Sequence, residues 1–104
     1  MASTFSTAFT LKAQNDVDNI CMYMAERLSN PMAASHFSDR ITTSAKSLSS
    51  FPKRYRVRRK NRKGQEIRYM PVDKFIMMYC VDDVKRTVNI LRVMYAKRNL
   101  DAMI

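Results

Sequence analysis

The sequence predicts an α+β domain: an N-terminal strand, an antiparallel helical hairpin, then three antiparallel strands forming one sheet with the first. Three observations predict it. Apolar residues recur at helical spacing from Val17 to Leu28 and again from Ala34 to Leu48. Behind them the pattern turns to β type, around the unbroken apolar run Phe75 to Val81. One glycine and three prolines are all that punctuate 104 residues, so residues 1–104 read as a single domain with one core. Helices grouped ahead of a run of strands is the α+β order.

Each element has a local reason. Ser3 to Phe9 alternates, with Phe5, Thr7 and Phe9 on one face of a short strand. From about Lys12, the residues Val17, Ile20, Cys21, Met24 and Leu28 form one helical stripe, and Asp16 and Asp18 stand where a helix dipole favours anions. Asn30-Pro31 closes this helix and opens the next, because Asn caps well and Pro at the first position loses no hydrogen bond. Ala34, Phe37, Ile41, Ala45 and Leu48 carry the second stripe to its stop near Phe51-Pro52. So short a connection forces an antiparallel hairpin. Arg54 to Val57 is read as extended, Lys63-Gly64 as a turn and Glu66 to Val72 as a strand. Phe75 to Val81 suits a central strand buried on both faces. Asp82 to Lys85 is a turn, Thr87 to Tyr95 a last alternating strand, and Ala96 to Ile104 a short tail of one or two helical turns.

Charge is the most informative bulk property. The net charge is +10, and Lys53 to Lys63 holds eight basic groups and no acid. Such a block repels itself and calls for solvent or an anionic partner. Cys21 and Cys80 lie in apolar segments, as reduced core thiols do. His36 is the sole histidine and no carboxylate cluster accompanies it, so neither a metal nor another cofactor is expected. No apolar run reaches the roughly 18 residues of a membrane span. Met1 to Leu11 lacks the charged start and apolar block of a signal peptide, which places the chain in the cytoplasm as an expectation. Nine methionines fall mainly in apolar segments and are read as adaptable core filler.

Several fragments resemble one family. The first helix carries Asp16-Val17-Asp18-Asn19-Ile20 and Tyr23-Met24-Ala25; the second opens on Asn30-Pro31-Met32-Ala33-Ala34 and leaves through Leu48-Ser49-Ser50-Phe51-Pro52. Arg68, the run Phe75 to Asp82, Ile90-Leu91-Arg92-Val93 and Tyr95-Ala96-Lys97-Arg98-Asn99 follow in order. Together they resemble the RelE/ParE superfamily of bacterial toxins along nearly the whole chain. The resemblance implies a four-stranded antiparallel sheet backed by the hairpin. It also implies the toxin component of a type II toxin–antitoxin module, arresting growth and neutralised by a cognate acidic antitoxin.

The same resemblance implies two targets of different class. RelE-like members cleave mRNA on the ribosome without a metal; ParE-like members are not enzymes and block DNA gyrase. For cleavage, Arg68, Arg92 and Arg98 are the candidates to hold phosphate, since arginine offers a planar fork of donors. The plainer reading is that they are solvated, or pair with Asp73, Asp82, Asp83 or Asp101. Candidates for nucleic-acid or target binding are Arg54, Tyr55, Arg56, Arg58, Arg59, Lys60, Arg62 and Lys63 in the basic block, with Lys74 beside the central strand. Tyr55 between two arginines suggests base stacking, and a solvated hairpin loop is the plainer alternative. Two departures count against cleavage. Ile76, not arginine, follows the aromatic that opens the central strand, and Asn99 to Ile104 contains neither tyrosine nor histidine. Tyr69 and Tyr95 remain, but an ordinary phenol is a poor base. The expectation therefore leans to gyrase, with mRNA cleavage as the alternative and a non-toxic nucleic-acid-binding module as a third class.

Overall fold

The computed structural model describes residues 4–97. Its elements are β1 Ser6–Phe9, α1 Leu11–Met22 continued by a π-helical turn Tyr23–Arg27, α2 Pro31–Ser47, β2 Val57–Lys60, β3 Glu66–Val72, β4 Phe75–Asp82 and β5 Thr87–Tyr95. The strands form one sheet in the order β1-β5-β4-β3-β2. β1 runs parallel to β5 and every other pair is antiparallel.

The α+β order stands, and two details are corrected. The sheet is mixed and five-stranded, not four-stranded and antiparallel, because β1 lies parallel beside β5 and a further strand, β2, adds the opposite edge. Extended structure in the basic block begins at Val57, not at Arg54. Residues 54–56 are held from outside instead: Arg54 donates to the carbonyls of Phe51 and Ser47, and Arg68 donates to that of Tyr55. The tail expected over Ala96 to Ile104 falls outside the described residues from 98 onward.

Both helices are capped as their sequences ask. The Thr10 hydroxyl accepts from Ala13 N–H at 3.1 Å, and the Asn30 side chain accepts from Ala33 N–H at 3.0 Å with Pro31 at the first helical position. The π turn closes on a bond from Leu28 N–H to Tyr23 C=O at 3.1 Å, and Ser29 at φ 50° then reverses the chain. Of the second stripe, Phe37, Ile41, Ala45 and Leu48 are all buried. The first stripe is looser: Val17 is buried, Ile20, Cys21 and Met24 are half-buried, and Leu28 is exposed beyond the π turn.

The hairpin covers one face of the sheet. Val17, Phe37, Ile41 and Leu48 share a core with Met70, Val72, Phe75, Met77, Tyr79, Val88, Ile90 and Val93. Ile67, Tyr69, Met78, Cys80 and Met94 form a second cluster with Ile76 and Leu91. The strand period sends alternate residues of β4 into the two clusters, as expected of a strand buried on both faces. Tyr79, fully buried, donates its hydroxyl to Pro52 C=O at 2.7 Å and so ties the exit of α2 to the centre of the sheet.

Two outcomes are expected. Ile41→Ala should lower unfolding free energy by about 2–5 kcal/mol, read from urea midpoints. Burial pushes the Tyr79 phenol above its ordinary value of 10.0. The unfolded chain releases that proton near its ordinary value while the folded chain keeps it, so stability falls as pH rises past 10. Tyr79→Phe should cost about 1–3 kcal/mol at neutral pH by leaving the Pro52 carbonyl without its donor, and should flatten the alkaline decline.

Candidate functional site

The basic block resolves into a clasped base, a short strand and an open turn. At the base, Arg54 turns its guanidinium back onto the end of α2, donating to Ser47 C=O and to Phe51 C=O, the latter at 3.2 Å. A cation there satisfies the Ser47 carbonyl at the end of the helix and complements its dipole. Lys53 meets Asp83 at 2.8 Å, an exposed pair worth little. Tyr55 is half-buried, with its ring packed against the helix-side core. Arg56, Arg58 and Lys60 are exposed, whereas Arg59 is half-buried. Arg58 lies over the Tyr69 ring, 4.9 Å from its centroid.

The turn itself is built by Asn61, whose side-chain oxygen accepts from the N–H groups of Lys63 and Gln65, both at 3.0 Å. Gly64 follows at φ 78°, a conformation that suits glycine. Arg62 and Lys63 are exposed at the tip. Lys74 lies at the other end of β3, in the turn to β4. Seven strand residues separate it from the tip, roughly 20 Å, so the two do not share a site.

Although β1 and β2 are opposite edges, Thr10, Leu11 and Lys12 at the start of α1 line one groove with Asn61, Arg62, Lys63 and Gln65 of the hairpin turn. The sheet must curl for this to happen. The groove has a volume of about 720 Å³, is floored by Leu91 and Arg92, and carries basic but no acidic side chains on its walls.

The two described candidate arginines are each engaged within the fold. Arg68 donates to Tyr55 C=O at 2.5 Å and to Lys53 C=O at 3.4 Å, holding the segment that leads into β2. Arg92 makes a two-pronged pair with Asp16: Nε to Oδ2 at 2.8 Å and Nη2 to Oδ1 at 3.0 Å. Asp16 is none of the four acids expected as partners. Its hydrogen bond, and then its charge, raise the Arg92 pKa further. Asp16 Oδ2 also accepts Val93 N–H at 3.0 Å. Arg98 lies outside the described residues.

Sequence reading missed the role of Asp16, taking it as a dipole acid, and had no reason to single out Thr10. Thr10 N–H donates to Ile90 C=O at 2.9 Å, and its hydroxyl donates to Leu91 C=O at 3.1 Å. There β1 leaves the sheet. Asp16, about two turns on, accepts from a backbone donor farther along β5, Val93 N–H. The available signal was position: Asp16 directly precedes Val17, the buried start of the stripe, and so borders the packed face of α1.

Among the described residues no group of histidine, cysteine and carboxylate side chains is placed to hold a metal. No described helix is long and apolar enough to cross a membrane.

Residues 8–100 match the family described as ParE toxin of type II toxin–antitoxin system, parDE. Comparison with curated protein sequences gave no match. Among solved structures, the fold is similar to a chain of the chromosomal ParDE toxin–antitoxin system from P. aeruginosa, with TM-score 0.71 and 22% identity over 89% of this chain and 97% of that one. It is also similar to a chain of the toxin–antitoxin complex RelBE2 from Mycobacterium tuberculosis, with TM-score 0.65 and 19% identity over 94% and 98%.

Asp16 and Arg92 keep only 14% and 18% of their side chains exposed, so water screens them poorly. Asp16→Ala should destabilise the fold by about 2–3 kcal/mol, less than a fully buried pair because the site stays partly wet. The exposed control Asp18→Ala should change stability by no more than about 0.5 kcal/mol. Thermal unfolding of the two variants checks the difference.

Proposed function

Because the chain belongs to the ParE toxin family of type II toxin–antitoxin systems, we propose that it arrests growth in the ParE-like manner, by binding DNA gyrase without cutting nucleic acid. A cognate acidic antitoxin neutralises it in the cytoplasm. The observation that carries this reading is how Arg68 and Arg92 are engaged. Cleavage of RNA by transfer to a 2′-hydroxyl needs a base, an acid and cations aimed at the phosphate as its charge grows. Arg92 is turned onto Asp16, and Arg68 onto backbone carbonyls. Tyr79, which pairs across the strands with Arg68, has a buried phenol whose raised pKa opposes a role as base. His36 is exposed on α2.

One observation favours mRNA cleavage on the ribosome instead. Arg56, Arg58, Lys60, Arg62 and Lys63 are exposed along one hairpin, where cations attract a phosphate backbone of any sequence. Such attraction brings the chain to RNA but does not supply the acid and base of a nuclease.

Induced expression without antitoxin separates these readings. The expected result is growth arrest with intact transcripts and, in the purified reaction, loss of DNA supercoiling by gyrase. Arg68→Ala and Arg92→Ala, once shown to be folded, should leave gyrase inhibition within about threefold of wild type. Ribosome-dependent cleavage of a reporter transcript, abolished by Arg68→Ala, would overturn the gyrase reading. Normal growth at full expression would overturn the toxin reading itself.

A further inference from the structure

We propose that the groove between the start of α1 and the β2–β3 turn binds a nucleoside polyphosphate. Lys12, Arg62 and Lys63 take the phosphates, and Leu11 and Leu91 take the base. The site stands apart from the growth-arrest reading and requires neither gyrase nor the ribosome.

Charge is the first observation. Among the described residues the ion pairs are Arg40–Asp73, Lys53–Asp83 and Arg92–Asp16. None of them takes in Lys12, Arg62 or Lys63, which are exposed and line one groove with no acidic side chain on its walls. Lys12 follows the edge strand β1, and Arg62 and Lys63 follow the opposite edge strand β2, so the curl of the sheet draws like charges toward one another. They repel, and a polyanion set between them turns that repulsion into attraction. Lysine supplies a point charge and arginine a planar fork of donors, both of which phosphate oxygens accept.

The walls are fixed before a ligand arrives. Asn61 Nδ2 donates to Gln65 Oε1 at 2.8 Å, and Gly64 N–H bonds to Asn61 C=O at 2.9 Å. These bonds add to the two that the Asn61 side-chain oxygen accepts. Across the groove, the Thr10 hydroxyl ties the start of α1 to Leu91 C=O. Backbones held in this way lower the ordering cost of binding.

Size and lining favour a nucleotide over a strand of nucleic acid. A volume of about 720 Å³ lies within the range of about 300–1,000 Å³ usual for small-molecule sites. Single-strand binders spread their cations along a track of about 4–16 nucleotides and stack bases on aromatic rings. No aromatic side chain lines this groove. Leu11, exposed, and Leu91, half-buried, offer apolar surface for one base.

The test titrates the full chain with adenosine triphosphate, inorganic triphosphate and adenosine at low salt. Adenosine triphosphate should bind with a Kd below about 1 mM, and adenosine alone should not bind in that range. Inorganic triphosphate, lacking the base, should bind roughly threefold weaker or worse. Amide resonances of Lys12, Lys63 and Leu91 should shift on addition of adenosine triphosphate. Lys12→Glu with Lys63→Glu should weaken its binding roughly tenfold or more. Lys46→Glu with Lys74→Glu makes the same change in net charge at exposed positions outside the groove, and should alter binding by less than about threefold. Leu11→Ala should bring adenosine triphosphate down toward the affinity of inorganic triphosphate. Equal losses in the two charge-reversed variants would show diffuse attraction to a basic surface and overturn the site. So would equal binding of adenosine triphosphate and inorganic triphosphate, resonance shifts confined to other residues, or no binding at millimolar concentration. A short oligodeoxythymidylate that binds the same residues more tightly would assign the groove to a nucleic-acid strand and overturn the nucleotide.

Discussion

The architecture turns on what happens where β1 stops. β5 is nine residues long and β1 only four, so much of one side of β5 has no strand beside it. Unpaired backbone donors and acceptors at such a place are costly when they are also removed from water. The chain continues the edge with side chains: Thr10 at Leu91, then Asp16 at Val93. The same Asp16 binds Arg92, so one carboxylate orients α1 on the sheet, satisfies the backbone and occupies a guanidinium. The position of α1, and through it the packing of Val17 and of α2 on Met77 and Tyr79, follows from that joint.

This joint also shows why residue type alone is a poor guide to the role of an arginine. An arginine in a strand, read from sequence, is equally a phosphate ligand or a structural clamp. Geometry separates the two, because a guanidinium already forked onto a carboxylate has its charge compensated and its orientation fixed. Arg54 and Arg68 follow the same logic with carbonyls in place of carboxylate. The cations nearest the base of the hairpin shape it, and those nearer its tip face outward.

Much of the fold was legible because periodicity is a direct imprint of burial. The stripe Phe37, Ile41, Ala45, Leu48 and the run beginning at Phe75 had only one arrangement that kept them from water. The bounds of Glu66–Val72 and Thr87–Tyr95 were readable for the same reason. β2 was not, since Val57–Lys60 is mostly charged and forms a strand because β3 offers it a ladder. The loose end of α1 was hidden as well: Leu28 keeps helical spacing in sequence, but the π turn shifts it off the packed face. At the candidate site, residue type predicted which side chains carry charge, but the pairing of Asp16 with Arg92 joins positions far apart in the chain and leaves no local pattern.

The parallel pair β1–β5 joins the beginning of the chain to its far end, with Ser6 beside Thr87 and Phe9 beside Ile90. Closing so long a loop is an entropic burden met late, and topologies rich in distant contacts assemble slowly. A nascent chain leaving the ribosome therefore displays α1 and α2 with their greasy stripes uncovered while β3, β4 and β5 are still to be made. Until β5 emerges, α1 has neither the Arg92 guanidinium nor the Val93 amide that Asp16 binds. The interval is one in which the polypeptide lacks its closing strand and is open to proteases.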